Sequence, residues 1–337
     1  MQRKLFFLAA VGFLLVLLVV ISAAAGTIRI PLKKVAAALL QLDASGPGRI
    51  VWEVRMPRIL AALLAGAGLS LAGTVMQSVL RNPLASPYTL GLSSAAAFGA
   101  SFAIVFFGAG TGTTSTILIS NSFAVALSAF FFCILSTIAI LLLAVLTKIS
   151  AESIVLAGIA IGSLFSAGLT LMQYLADSIQ LASIVSWSFG DLGRADYQVL
   201  TITALVLLPV SLLFLYHRWD FNALDSGEEA AKGLGVRTGT VRLAGMVAAS
   251  LLSAVVVSFF GIIAFIGLLA PHIAKRILGG DHRFLLVASP LIGAVILLAA
   301  DTAARTVLSP MVLPVGILTS LLGGPLFIYL LVARAKR

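Results

Sequence analysis

Long apolar runs, separated by short polar breaks, occupy most of this chain. They fall at roughly residues 5–25, 59–80, 90–107, 123–146, 153–176, 198–216, 243–260, 261–274, 284–304 and 312–332. Within each run the apolar residues are continuous, not alternating. A helix needs about 20 apolar residues to cross the hydrocarbon core, whereas a membrane barrel would show strict alternation. The pattern predicts an all-α polytopic membrane protein of about ten transmembrane helices, a single transmembrane domain over 1–337. One polar segment, 217–242, interrupts it. The interval from Arg242 to Lys275 is short for two full crossings, so 243–274 is either one long span or two short ones turning near Gly261.

Composition agrees: 61% of the residues are hydrophobic and only 10% charged, against about 25% charged in soluble domains. The opening "MQRKLFFLAAVGFLLVLLVVISAAAG" has the basic start and small-residue end of a signal peptide. Its apolar run from Leu5 to Ala25 exceeds the usual 7–15 or so residues, so it is read as a first transmembrane helix.

Ten crossings put both termini in the cytoplasm, with Arg3, Lys4, Arg334, Lys336 and Arg337 there. Lys148, Arg218, Lys232, Arg237, Arg242, Lys275, Arg276 and Arg283 fall on the same side, as the positive-inside rule requires. The net charge of +10 is thus mostly topology, and nothing in it calls for nucleic acid. The exception is residues 27–60, where Arg29, Lys33, Lys34, Arg49, Arg55 and Arg58 crowd onto the outer side. That cluster is either a statistical departure from the rule or a docking surface for an acidic extracytoplasmic partner.

Several chemistries are absent. None of the seven lysines follows a glycine, so there is no GxxxxGK[ST] phosphate loop and no ATP site of that kind. There is no HExxH; His217, His272 and His282 sit at expected cytoplasmic helix ends, and Cys133 is the sole cysteine. The chain is therefore expected to be no enzyme and to hold neither metal nor cofactor. Asn82 to Thr147 carries no charge, which argues against a self-powered carrier, since such carriers usually bury ionisable groups. A secondary carrier or channel, or an interaction protein of the membrane, stays open as another class.

The polar island "DFNALDSGEEAAKGLGVRTGTVR", Asp220 to Arg242, reads as a short surface helix. Ser226 is its candidate N-cap, Glu228 and Glu229 suit its first turn, Lys232 follows Glu228 at i+4, and Gly235 is a natural stop. Such a loop fits a subunit energised by another protein.

Four stretches together resemble the iron-complex and cobalamin family of ABC importer permeases, the type II importers. They are "RMPRILAALLAGAGLSLAGTVMQSVLRNPLASPYTLGLSSAAAFGA" from Arg55, "LDSGEEAAKGLGV" from Leu224, "GIIAFIGLLAPHIAKRILGGDHR" from Gly261 and "DTAARTVLSPMVLPVGILTSLLGGPLFIYLL" from Asp301. The resemblance implies a homodimer in the lipid bilayer of a prokaryotic cytoplasmic (inner) membrane. It also implies two cytoplasmic ATPase subunits, which bind ATP and Mg, and an extracytoplasmic substrate-binding protein. Coupling to the ATPase is assigned by it to Leu224, Asp225, Gly227, Glu228, Glu229, Lys232 and Gly235.

By the same resemblance, Arg55, Arg58 and Arg305 would receive acidic groups of the binding protein; an Asp301–Arg305 pair at i,i+4 is the plainer reading of the last. Asn82, Pro83 and Leu84 would belong to a cytoplasmic gate. Ser163, Ser166, Thr170 and Gln173 would line the central path. "APH", Ala270 to His272, would close the eighth helix, with His272 a structural group. Gly66, Gly68, Gly73, Gly158 and Gly162 either permit close helix approach or line the path. Ferric siderophore is the expected cargo, with haem, cobalamin and molybdate as competitors.

Overall fold

The computed structural model describes residues 1–26, 28, 30–40, 46–113, 116–119, 121–146 and 150–335. Arg29, Lys148, Lys336 and Arg337, used in the charge argument, lie outside them. The chain opens with helix α1 (Gln2–Ala24), followed by two short helices, α2 (Leu32–Leu39) and α3 (Gly46–Arg49). A π-helical stretch, Ile50–Arg55, runs straight into α4 (Met56–Val79). Next come α5 (Leu92–Phe106), α6 (Ser122–Leu146), α7 (Ala151–Leu175), α8 (Ser178–Ser188) and α9 (Tyr197–Tyr216). The polar island forms α10 (Arg218–Asp225) and α11 (Glu228–Gly233), after which α12 (Thr238–Phe260), α13 (Ile266–Leu278), α14 (His282–Thr306) and α15 (Val315–Ala335) complete the chain.

Seven of the described helices are long and apolar enough to cross a membrane: α1, Ile50–Val79, α6, α7, α9, α12 and α14. Helix α5 and the stretch Val315–Pro325 of α15 are apolar but shorter. Not everything is helical. Gly110–Thr113 (β1) pairs antiparallel with Thr116–Ile119 (β2), in a stretch of glycine and β-branched residues that suits a hairpin better than a helix.

Helix α4 runs through the middle, packed by α14, α12, α13 and α9, and is the most buried of the seven, while α1 is the least. Between apolar helices in lipid there is little hydrophobic drive to associate, so contact rests on close packing of small residues. Gly66 of α4 meets the Gly293 backbone of α14, and Gly73 meets the Gly267 backbone of α13. Gly158 and Gly162 of α7 receive Leu90 and Gly91. These glycines are spent on helix contacts.

Helix α12 stops at Phe260. Gly261 at φ 76 and Phe265 at φ 67 break the chain, and α13 begins only at Ile266. It continues past Ala270–His272 to Leu278 and ends against Gly279, at φ 81. This corrects the expectation that Ala270–His272 closes the helix: it runs on through Pro271, whose missing N–H forgoes the bond to the Gly267 carbonyl, and His272 is half-buried in mid-helix.

Candidate functional site

Polar side chains gather at the two ends of α4, whose 24 residues separate them by roughly 36 Å. At its start, Arg58 Nε donates to Asp301 Oδ1 at 2.7 Å, and Arg305 Nε donates to Asp301 Oδ2 at 3.0 Å. Asp301 is wholly buried, so one carboxylate holds two guanidiniums. Arg305 also donates to Ser22 Oγ at 2.5 Å and to the Ala25 carbonyl at 3.2 Å. Arg55 donates to the carbonyls of Ala23 and Ile28. Arg58 Nη2 lies 3.2 Å from Asp191 Oδ1 without the alignment of a hydrogen bond.

The three arginines expected to receive a binding protein are thus turned into the subunit. Arg55 and Arg305 are buried, tying α1, α4 and α14 together. The end of α1 offers carbonyls free of helical partners, which is why cations collect there. Lys33, Lys34 and Arg49, by contrast, are exposed on α2 and α3.

At the far end of α4 the polar island folds as two helices. Phe221 anchors α10, buried between Phe214 and the ring of His282, and Leu224 is wholly buried behind it. Asn222 donates to Asp281 Oδ1 at 3.3 Å and accepts from His282 N at 2.8 Å. Ser226 belongs to the end of α10, its hydroxyl donating to the Asn222 carbonyl at 3.2 Å. The N-cap of α11 is therefore not Ser226 but Gly227, at φ 125, a conformation that costs a glycine little.

The acidic groups of the island face inward more than the pattern suggested. Asp225 accepts from Ser78 of α4 at 3.0 Å and from Lys275 of α13 at 3.1 Å, with His282 Nε2 at 3.5 Å. Burial pushes its carboxyl up, but His282 and Lys275 outweigh burial and hold it below the usual aspartate range. Glu228 pairs with Arg242 of α12 and with Lys232, both at 3.2 Å; these two cations lower its carboxyl. Asp281 is held down to about 2, first by Arg283, which it grips through Nε and Nη2.

Of the seven coupling candidates, then, Leu224 and Asp225 are committed to the subunit's own packing and Glu228 is split between internal and surface partners. Gly227 and Gly235, at φ 125 and 84, are turn residues. Glu229 and Lys232 face outward, beside Leu234, which is 73% exposed. Ser78, Asn222, Arg242, Asp281 and His282 were not among the expected residues. Their only sequence signal is polarity at the edge of an apolar run.

The segment after α4 is a series of turns. Asn82 Oδ1 accepts from Leu84 N at 2.9 Å, and Ser86 and Thr89 bond each other through both backbone and hydroxyls. Leu84 and Pro83 are exposed. On α7, Ser163, Ser166 and Thr170 lie on a face that the chain leaves uncovered, Gln173 is half-buried and Met172 is buried. The hydroxyls of Ser163 and Thr170 are spent on the helix's own carbonyls, at 2.8 and 3.1 Å, which makes this stripe only mildly polar.

Seven described helices long and apolar enough to cross a membrane, with a polar helix pair moored at one end, give the chain the architecture of a multi-pass membrane protein. The model of the FecCD transport family matches residues 14–333. An ABC transporter permease protein of Methanocaldococcus jannaschii is 50% identical over 93% of this chain and 90% of that protein. The hemin transport system permease protein HmuU of Yersinia pestis is 36% identical over 97% of this chain and 96% of that protein. Among solved structures, one described as an inward-facing metal-chelate type ABC transporter matches with a TM-score of 0.82 at 32% identity, covering 97% of this chain and 99% of that one. The chain belongs to the FecCD transport family. Other relatives are named as permease proteins of Fe(3+)-citrate, vitamin B12 and molybdate import systems.

Proposed function

We propose that this chain is the permease subunit of an ATP-binding cassette importer that moves a ferric siderophore, or a similar metal chelate, inward across the cytoplasmic membrane. Two copies form the path, two ATPase subunits dock on the α10–α11 end, and an extracytoplasmic binding protein delivers cargo to the opposite end. Both termini then lie in the cytoplasm.

The observation that carries the reading is the α10–α11 pair: two short helices moored by buried Phe221 and Leu224, presenting Glu229, Lys232 and Leu234 outward, in a chain without an ATP motif. Docking at the other end draws on exposed Lys33, Lys34 and Arg49 for encounter. Engagement of Arg55, Arg58 or Arg305 requires a carboxylate of the binding protein to exchange with their internal partners, which for Arg58 are Asp191 and Asp301. Leu84, exposed beside the Asn82 turn, serves the cytoplasmic gate.

A chelate is favoured over a small oxyanion because Ala151–Leu175 carries no cation, and an oxyanion site calls for Arg or Lys donors. The test is reconstitution with the ATPase in proteoliposomes, with binding protein and radiolabelled ferric siderophore, haem, cobalamin or molybdate. ATP-dependent accumulation of the ferric chelate is the expected result. Charge reversal Glu229→Arg should lower ATPase recovery on copurification about tenfold, as loss of a rim contact pair and an added repulsion at an interface does. Accumulation without nucleotide would place the protein among secondary carriers.

A further inference from the structure

Asp225 of α10 and Glu228 of α11 end in one place. Asp225 reaches Ser78 Oγ at 3.0 Å. Glu228 reaches Arg242 Nη2 at 3.2 Å, and the same guanidinium donates through Nε to the carbonyl of Val79 at 2.9 Å. Two helices of the surface pair therefore grip consecutive residues in the last turn of α4. Two residues further on the Arg81–Pro87 segment begins, with Arg81 itself at φ 46. Its Asn82 turn and Ser86–Thr89 bonds make that segment a braced unit, so a displacement of its first residue is passed along it.

We propose, on the basis of the importer reading above, that Asp225 and Glu228 are positioning residues that carry movement of the α10–α11 pair to the last turn of α4, and so to the Arg81–Pro87 segment, instead of contacting the ATPase. Their partners support this. The Asp225 side chain is 21% exposed, and Glu228, at 40%, is held by an Arg242 side chain that is 3% exposed, so each carboxylate is committed to a group inside the subunit. Lys275 and His282 on the other oxygen of Asp225 bring the end of α13 and the start of α14 to the same carboxylate. One side chain thereby registers the position of α10 against three helices, α4, α13 and α14. A charge-assisted contact is directional, which transmits displacement better than an apolar contact that slides.

The test uses the assembled complex with its ATPase and binding protein in proteoliposomes, and reads two quantities: ATPase recovered per permease, and ATP hydrolysed per cargo molecule imported. Asp225→Asn and Glu228→Gln keep shape and remove charge. Both should retain the ATPase, while ATP spent per import rises about threefold for each and about tenfold for the pair, the range expected when residues of a coupling network are altered. Asp225→Lys should raise it similarly, and Asp225→Lys with Lys275→Asp should bring it back toward wild type. Loss of the ATPase on copurification of Asp225→Asn would show the carboxylate to be an interface contact and overturn the proposal. An unchanged ratio in both neutral variants would overturn it too. Should Asp225→Asn fail to insert, Lys275→Gln decides alone, its side chain being 55% exposed: a raised ratio supports the linkage and an unchanged one refutes it. A wild-type complex that imports nothing with ATP refutes the importer reading itself, whereas normal import by wild type and variants alike refutes only the linkage.

Discussion

Asp301 has no exposure to solvent, yet the guanidiniums of Arg58 and Arg305 divide its two oxygens. Half of this arrangement is legible in the sequence, because Arg305 follows Asp301 by one helical turn. The other half is not, since Arg58 lies 243 residues away and only the packing of α4 on α14 brings it over. The consequence is energetic. Removing the carboxylate leaves buried Arg305 without its counter-charge and Arg58 with Asp191 alone, and breaking a buried pair from one side costs about 3–5 kcal/mol. Asp301→Ala is expected to lower the apparent melting temperature of the purified subunit in detergent by many degrees, and Asp301→Asn by less, because the amide still accepts one bond. An Asp301→Ala protein that melts with wild type would show that the cluster is held by the Ser22, Ala23 and Ala25 oxygens instead.

Between elements the decisive contacts are made by residues too small to announce themselves. Pro271 removes the N–H that would serve the Gly267 carbonyl, and that carbonyl is what Gly73 of α4 approaches; a Cα–H donor fits such a gap where a methyl does not. Gly73→Ala is expected to cost about 1–3 kcal/mol or more. Gly233→Ala meets nothing within 4 Å and should be neutral or raise stability by about 0.5–1 kcal/mol through helix propensity. Thermal unfolding of both single variants checks the pair, and equal melting would deny that α4 and α13 are in backbone contact. Of the ten apolar runs, seven fall on described helices long enough to cross a membrane, a length that the hydrocarbon core sets. Run length did not locate the β1–β2 hairpin or the start of α13. The latter depends on a left-handed Phe265, a conformation bulky residues seldom adopt. Helix α8 begins with a capping box of Asp177 and Gln180, a local signal in the sequence that the search for long apolar runs passes over.

For the whole molecule the open question is what covers α7, since half its circumference faces away from the chain. Around that face the sequence is graded: Ser166, Thr170 and Ser163 lie along one edge, and Leu164 and Leu171, 67% and 53% exposed, along the other. Spacing of three and four places the hydroxyls together, and the rotation of the helix decides which edge would face the proposed path. If the path runs along the hydroxyl edge, water reaches it and lipid or protein covers the leucines. Cys133, the sole cysteine, is wholly buried, so a thiol introduced on α7 is read against a silent background. In the assembled complex, Ser166→Cys and Thr170→Cys are expected to react with a charged, membrane-impermeant thiol reagent at least about tenfold faster than Leu164→Cys, because only a hydrated thiol ionises readily, and cargo in transit should slow them. Equal rates at Thr170→Cys and Leu164→Cys would mean that the stripe does not border the path. The mild polarity of Ser163 and Thr170, their hydroxyls turned back on their own helix, would then be a feature of helix packing rather than of transport.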